Sequence, residues 1–274
     1  MANRIANSFA QAKTEKRGIL GVFVSAGDPN EQLCVEILDQ LVENGADLIE
    51  LGMPFSDPMA DGPAIQAASL RAIRAGMTLE KTLTIAKDFR TRHPDVPLIL
   101  MGYFNPIYIY GRDAFLEEAS KAGVDGLIIV DLPPEEDGEL CDPANAAGLD
   151  FIRLTTPTTK GKRLERVLEK AGGFVYYVSI TGITGTKSAG ADSIAKAVGD
   201  IRKATDLPVV TGFGIRTAEQ AAEAATLSDG AIIGSAVVDI IANNIDEDGT
   251  PSADIPQKIG SFVGTLSKAI AANT

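Results

Sequence analysis

The chain has 274 residues, of which 45% are hydrophobic, and this is enough for one α/β barrel or two average domains. Its formal net charge of −12 argues against a surface for nucleic acid or anionic membranes, because both need basic patches. The chain has no apolar run of membrane-spanning length, no apolar signal core at its start and only two distant cysteines, so we expect a cytoplasmic protein.

Eight short apolar runs recur along the chain, with helical segments between them. Most are nearly continuous hydrophobic stretches, which is typical of parallel strands covered by helices. The predicted strands are 19–24, 48–52, 98–102, 126–130, 151–154, 174–179, 208–211 and 231–234.

The segments between these runs carry helical periodicity with start and stop signals. Helices are predicted over 28–42, 78–93, 113–122, 161–171, 217–227 and 259–271. The first dozen residues form an amphipathic pattern that would cover one end of a barrel, and 243–257 reads as a surface loop. Eight β–α units predict a single (β/α)8 barrel over residues 1–274. A doubly wound open sheet is the alternative, but the count reaches eight and no linker divides the chain.

The second apolar run carries a carboxylate near its end, and the proline-broken loop after it carries another. Because side chains alternate along a strand, Leu48 and Glu50 should share the face that points into the barrel. Desolvating a charge is costly, so Glu50 is either paired with a basic side chain or catalytic. Asp61 precedes Gly62, so it is either a second functional acid or a turn residue.

Glycine-containing turns follow the last three runs, at 181–185, 211–215 and 234–236. In barrels, the loops after the last strands and a short helix N-terminus form a common phosphate site, since glycine lets backbone N–H groups close on the anion. The turn at 212–217 lacks the third glycine of a dinucleotide fingerprint. Three such turns at successive strand ends favour a phosphate site over simple tight turns.

Few other groups could catalyse a reaction. No lysine falls inside an apolar run, which argues against a Schiff-base aldolase. The only histidine, His93, precedes Pro94 at a predicted helix end and is interpreted as a surface residue, which argues against a metal site or a serine triad. Two carboxylates remain. They could enolise a sugar phosphate, or they could break a carbon–carbon bond in a substrate that supplies its own electron sink.

One long segment resembles the signature of the tryptophan synthase alpha subunit family: Glu50-Leu51-Gly52-Met53-Pro54-Phe55-Ser56-Asp57-Pro58-Met59-Ala60-Asp61-Gly62-Pro63. Segments 23–29, 182–185, 212–215 and 234–236 fall in the expected order, so the resemblance covers nearly the whole chain. It implies a TIM barrel that cleaves indole-3-glycerol phosphate into indole and glyceraldehyde 3-phosphate in L-tryptophan biosynthesis. No metal, Schiff base or cofactor in this chain is implied, because the indole ring, once protonated at C3, accepts the electrons of the breaking bond.

The resemblance also implies residue roles. Glu50 would be the general acid/base, Asp61 would accept the indole N–H and stabilise positive charge, and Tyr176 matches an active-site tyrosine near Glu50. The phosphate ligands would be Gly185, Gly214, Gly234 and Ser235. The apolar pocket positions would be Phe23, Ile65, Tyr103, Ile128, Leu154, Phe213 and Ile233. Loops 53–61 and 182–189 would close over substrate through a contact between Asp57 and Thr184.

The family works as a complex with a beta subunit, so an α2β2 heterotetramer is implied, with pyridoxal phosphate in the partner. The expected partner surface includes Pro54, Asn105 and Pro133. The chain departs from the commonest family pattern at Met53, and at Lys187 in a loop without arginine. Two alternative functions stay open: another phosphosugar-binding barrel isomerase, and a non-catalytic binding subunit.

Overall fold

A computed structural model describes residues 3–179, 187–212 and 214–273, with the backbone alone for 187–189. Within these ranges, parallel strands form one sheet in the order β5-β4-β3-β2-β1-β9-β8-β7-β6. The strands are β1 (Ile19–Ser25), β2 (Leu48–Gly52), β3 (Leu98–Gly102), β4 (Gly126–Ile129), β5 (Asp150–Phe151), β6 (Arg153–Thr155), β7 (Val175–Val178), β8 (Val209–Gly212) and β9 (Gly230–Ile233).

The fifth barrel strand is interrupted at Ile152, which divides it into β5 and β6. β5 pairs with β4, whereas β6 pairs with β7 on the other side. Eight strand positions therefore surround a nearly closed barrel, and the predicted TIM-barrel class is confirmed.

Helices cover the outside of the sheet and one end of it. In the described part of the chain they are α1 (Arg4–Thr14), α2 (Glu31–Glu43), α3 (Pro63–Arg74), α4 (Leu79–Arg92), α5 (Phe104–Tyr110), α6 (Arg112–Lys121), α7 (Cys141–Ala146), α8 (Lys162–Leu168), α9 (Lys187–Arg202), α10 (Ala218–Leu227), α11 (Ser235–Ala242) and α12 (Ile255–Ala272). Side-chain caps start several of them. Thr217, for example, forms a reciprocal capping box with Gln220 at the start of α10. No helix within these ranges is both long and apolar enough to cross a bilayer.

The predicted helices are all present, and α11 begins at the turn 234–236 where a helix was expected, whereas α3, α5, α7 and α9 were not predicted from the sequence. α9 does carry a helical signal, because Ile194, Val198 and Ile201 recur on one face and pack against the sheet. The last helix begins at Ile255, earlier than predicted, and the loop before it is correspondingly shorter.

The barrel interior is a separate apolar layer from the one between strands and helices. Leu48 points inwards, whereas Ile49 and Leu51 pack under the helices, as strand alternation predicts. The interior layer consists of Ile19, Leu48, Ile99, Ile128, Ile152, Phe174, Val210 and Ile232, together with Ile5 and Ala12 of α1. The ring of Phe9 lies 5.9 Å from that of Phe174. α1 therefore closes the amino-terminal end of the barrel, and only the opposite end is open.

Aspartates fasten this closed end. Asp47, Asp125 and Asp229 each stand one residue before a strand, and each accepts a backbone N–H from the adjacent strand, which satisfies that donor. The donors are Leu20 N (2.8 Å), Leu98 N (2.9 Å) and Val209 N (2.8 Å). Each carboxylate is also paired with an arginine: Arg17, Arg90 and Arg202, respectively.

Asp125 has the largest role of the three, because it joins three elements. Its carboxylate accepts bonds from Arg90 of α4 (2.7 Å), Arg4 of α1 (2.8 Å) and the start of β3, and the side chain is only 6% exposed. Removing it leaves two arginines and a backbone N–H without their shared acceptor.

We predict that Asp125→Ala lowers the free energy of unfolding by about 3 kcal/mol or more, since breaking a buried ion pair leaves uncompensated charge. Asp88→Ala, at an exposed position of α4, is the control and should change stability by less than about 0.5 kcal/mol. Urea denaturation followed by circular dichroism measures both. Equal stabilities of the two variants would contradict the role assigned to Asp125.

Candidate active site

A cavity of about 700 Å³ opens at the carboxyl ends of the strands, a volume suited to a small organic molecule. The predicted site residues in its wall are Phe23, Glu50, Asp61, Ile65, Leu154, Tyr176, Gly214, Gly234 and Ser235. This end of a parallel barrel is where loop and strand-end residues converge on a ligand. The structure thus brings both carboxylates and glycines of the turns after the last two strands to one cavity, while the turn at 181–185 lies outside the described residues.

A second cavity of about 700 Å³ lies at the opposite end, between α1 and the ends of α9, α10 and α12. Its carboxylate Asp229 is already paired with Arg202 at 2.9 Å and with the backbone of Val209. Because these contacts serve the fold, and because barrel enzymes place their chemistry at the carboxyl ends of strands, we assign the candidate site to the open end.

Glu50 is buried at the bottom of the cavity. It is the third residue of β2 and its side chain points inwards, with 1% of the residue exposed. Among the residues that the structure describes, no group donates a hydrogen bond to its Oε1 atom and no basic side chain pairs with it. Burial alone raises the pKa of Glu50 to about 8. Glu50 therefore holds a proton at neutral pH and can donate it.

Tyr176 lies beside Glu50 on the inner face of β7. Burial raises its pKa well above the ordinary value, and the charge of Glu50 raises it further. Gly212 of β8 makes room for this tyrosine, because a Cβ atom at position 212 would lie 2.3 Å from the Tyr176 hydroxyl. The sequence placed Gly212 only in the phosphate turn; its contact with Tyr176 arises because β7 and β8 are neighbours in the barrel.

Asp61 reaches the same cavity from the loop after β2. Tyr103 fixes this part of the loop: its hydroxyl bonds to the Asp61 carboxylate and accepts the backbone N–H of Ala60 at 2.9 Å. The ring of Phe55 packs on Tyr103 at 5.3 Å. Burial raises the pKa of Asp61, and the bond from Tyr103 partly opposes this shift. Asp61 also serves the turn, since its N–H donates to the carbonyl of Pro58.

The tip of the loop is much less constrained than its two ends. At the start, Phe55 exchanges hydrogen bonds with the hydroxyl of Ser69 at 2.8 and 2.9 Å, and Met53 donates to the carbonyl of Met101. Asp57 is exposed and bonds only locally, to the hydroxyl of Ser56 at 2.5 Å. An anchored loop with a free tip is suited to closing over a ligand.

The last glycine turn lies at the start of α11. Gly234 precedes this helix, Ser235 is its first residue, and both line the cavity. Backbone N–H groups at a helix N-terminus attract anions. Gly234 and Gly52 also leave room for the side chain of Phe23. A Cβ atom would lie 3.2 Å from Phe23 at position 234 and 2.7 Å from it at position 52. Gly214 has a φ of +74°, a conformation that favours glycine.

Several predicted residues lie elsewhere. Ile128 is in the barrel interior below the cavity, and Ile233 packs outwards against the helices, whereas its neighbour Ile232 lines the cavity. Tyr103 lines a small neighbouring pocket, which shares Asp61 with the cavity. Gly185, Thr184, Phe213 and most of loop 182–189 lie outside the described residues, as does the side chain of Lys187.

The cavity wall also contains residues that were not predicted: Met101, Val130, Val178, Arg216, Ile232 and Asp239. Strand alternation could have identified three of them, because Met101, Val130 and Val178 each stand two residues beyond an inward-facing residue. Arg216 and Asp239 carry no such signal, since they belong to a turn and to a helix.

No metal site is found in the described ranges, where no three acidic, histidine or cysteine side chains come together. His93 lies at the end of α4, half-buried, and its Nε2 contacts Asp39 at 2.6 Å. The described side chains around the cavity include no lysine.

Comparison with known proteins agrees with this geometry. The family model of the tryptophan synthase alpha chain matches residues 9–266. A tryptophan synthase alpha chain from Legionella pneumophila subsp. pneumophila is 36% identical with a TM-score of 0.88, covering 98% of each chain. A subunit alpha from L. pneumophila str. Paris is 37% identical with a TM-score of 0.89, covering 98% of this chain and 99% of that one. An aminoacrylate-bound tryptophan synthase from M. tuberculosis is 31% identical with a TM-score of 0.84, covering 97% and 99%.

We predict that Glu50→Gln stabilises the protein at high pH. Between the ordinary glutamate pKa of 4.5 and about 8, the folded state keeps a proton on Glu50 whereas the unfolded chain releases it, so stability falls as pH rises through this window. At about 1.4 kcal/mol per pKa unit, the cost above pH 8 reaches several kcal/mol.

Melting temperatures of wild type and Glu50→Gln, compared from pH 5 to pH 9, measure this effect. The variant should match wild type at pH 5 and melt at a higher temperature at pH 9. A difference that is independent of pH would show that Glu50 is not held as a buried acid.

Proposed function

This chain belongs to the family of tryptophan synthase alpha chains, and we propose that Glu50 and Asp61 perform the chemistry of its reaction. It cleaves indole-3-glycerol phosphate to indole and glyceraldehyde 3-phosphate, a carbon–carbon lyase step of L-tryptophan biosynthesis. The family needs no cofactor in this chain. Membership of this family decides against the two alternative functions, the barrel isomerase and the non-catalytic binding subunit.

Glu50 acts as the general acid and then as the general base. Its pKa near 8 keeps it protonated at neutral pH, so it gives that proton to ring carbon C3. The resulting carboxylate takes the proton of the adjacent side-chain hydroxyl. The electrons of that O–H bond then form the C=O bond of the aldehyde. At the same time the carbon–carbon bond breaks, and its electrons return to the ring. Tyr176, beside Glu50, completes the wall around this carboxyl group.

Asp61 acts on the opposite side of the ring. When C3 is protonated, positive charge develops at the ring nitrogen, and a carboxylate that accepts the N–H stabilises this charge. Tyr103 holds Asp61 in place while the half-buried setting limits screening by water. The apolar side chains of Phe23, Ile65 and Leu154 provide contact area for the indole ring.

The phosphate group binds at the far end of the cavity. Gly214, Gly234 and Ser235 offer backbone and hydroxyl groups there, at the start of α11. Gly185 would complete this set, and the contact between Asp57 and Thr184 would close the loops over it. The observation that carries the proposal is the pair of acids on one cavity, one of them buried without a partner.

We also propose a beta-subunit partner and an α2β2 heterotetramer, with pyridoxal phosphate in the partner. The helix α5, which follows β3 at the cavity mouth, exposes Tyr108 and Ile109, the latter at 80%. Met59 is exposed in the loop after β2, and the next residue, Ala60, donates its N–H to Tyr103 at the start of this helix. Asn105 and Pro133 are exposed as well. Exposed apolar side chains at one face mark an interface. The proposal includes a cytoplasmic location and a single domain over 1–274.

We predict that Glu50→Gln lowers kcat for indole release by about 10³-fold or more, because the amide can neither give nor take the proton. Purified protein and indole-3-glycerol phosphate suffice for the assay. Glu43→Gln, an exposed change on α2, should leave kcat unchanged. Turnover near the wild-type rate in Glu50→Gln would refute the assignment.

Asp61→Asn should lower kcat by about 10²-fold, since a neutral amide no longer stabilises the charge on the ring nitrogen. The loop should remain in place, because Tyr103 can still bond to the amide oxygen. The same indole assay measures kcat, and Asp88→Asn serves as the control. Unaltered turnover would reduce Asp61 to a turn residue.

Ile109→Asp should weaken the association with a beta subunit about tenfold or more, because it places a charge in an apolar contact. Isothermal titration with purified beta subunit measures the affinity. Leu70→Asp, at an exposed apolar position on α3, is the matched control and should bind normally. Equal affinities for both variants would place the interface elsewhere.

A further inference from the structure

An ion pair lies in the cavity wall where the phosphate is proposed to bind. The Nη1 atom of Arg216 is 2.6 Å from the Oδ2 atom of Asp239, and both residues line the cavity. Their side chains are 56% and 34% exposed, so the pair faces solvent. No part of the reaction described above uses these two residues.

Both members stand close to the proposed phosphate ligands. Asp239 is one helical turn after Ser235 on α11, and residues four apart share a face and lie about 6 Å apart along the helix axis. Arg216 is two residues after Gly214. Its backbone N–H donates to Gln220 Oε1 at 2.7 Å, which ties the main chain to the start of α10 while the side chain stays exposed.

The charges around the cavity are unbalanced for an anionic substrate. Of the described side chains that line it, Arg216 alone is cationic, whereas Asp61 and Asp239 are acidic and Glu50 is a buried acid that keeps its proton. A phosphate dianion entering this site would be repelled by an unneutralised Asp239. Arg216 is the group that can offset this repulsion.

The ion pair is easily exchanged for a stronger contact. Exposed pairs between single side chains contribute little to stability, because water screens them. A guanidinium binds phosphate with two parallel, charge-assisted hydrogen bonds, which is a better match than a single contact with one carboxylate oxygen.

We propose that Arg216 is a phosphate-binding residue held by Asp239 in the free protein. When substrate enters, the guanidinium leaves Asp239 and bonds to the phosphate, and Asp239 draws it back when the triose phosphate product leaves. Asp239 therefore weakens phosphate binding, and the pair sets the affinity for substrate without taking part in bond breaking. This proposal rests on the phosphate position of the proposed function.

The two residues have opposite effects in this account, and this separates it from a purely structural ion pair. Arg216→Gln should raise KM and the inhibition constant of glycerol 3-phosphate by 10-fold or more, with kcat within twofold of wild type. Asp239→Asn should lower both constants severalfold, since Arg216 is then free. Arg216→Lys should restore part of the loss. If the ion pair only held the turn against α11, Arg216→Gln and Asp239→Asn would shift both constants in the same direction.

Arg202→Gln is the matched control, because Arg202 is also a half-exposed arginine paired with an aspartate, Asp229, at the closed end of the barrel. Its KM should equal that of wild type. The proposal is overturned if wild type is inhibited by glycerol 3-phosphate and Arg216→Gln leaves both constants unchanged. It is also overturned if Arg216→Gln and Asp239→Asn shift the constants in the same direction. If wild type itself were not inhibited, the phosphate position of the proposed function would be at fault instead.

Discussion

The cost of removing a carboxyl group from water governs the open end of this barrel. Glu50 stands on a strand whose inner face is otherwise apolar, and the described surroundings give it no counter-charge. A charged carboxylate there would be unstable, so the proton stays on to a pH well above its ordinary range. The same burial that is unfavourable for folding creates an acid that is protonated in neutral solution, and a substrate can use that proton.

The rest of the fold keeps this acid in place and excludes water from beneath it. α1 closes the other end with Ile5, Phe9 and Ala12, so the interior below Glu50 is apolar throughout. Aspartates before the strands fasten that closed end to Arg4 of α1, to Arg17 in the loop after α1 and to Arg90 of α4. At the open end, glycines in place of side chains leave room for Tyr176 and Phe23. Close packing below and small residues above leave a shaped cavity that opens at the carboxyl ends of the strands.

Much of this arrangement could be predicted from the sequence, because it depends on local patterns. Strand periodicity predicted the positions of the strands and the inward direction of Glu50. The segment from Glu50 to Pro63 indicated the family. What could not be predicted depends on contacts between distant segments. Tyr103 contacts the loop at Ala60 and Asp61, 43 positions from Ala60, and Gly212 contacts Tyr176 of the neighbouring strand. Ile232 and not Ile233 lines the cavity, which is a difference of one residue that reverses a side chain's direction. Arg216 and Asp239 meet although 23 residues separate them.

The most direct test of this account is a titration of Glu50 itself. Carbon-13 NMR of the protein labelled at glutamate carboxyl carbons, with Glu50→Gln used to assign the signal, follows its ionisation in the absence of substrate. The account predicts a midpoint near pH 8, several units above that of the exposed glutamates. A midpoint below about pH 5 would mean that Glu50 is charged at neutral pH, and it would contradict the assignment of Glu50 as the proton donor.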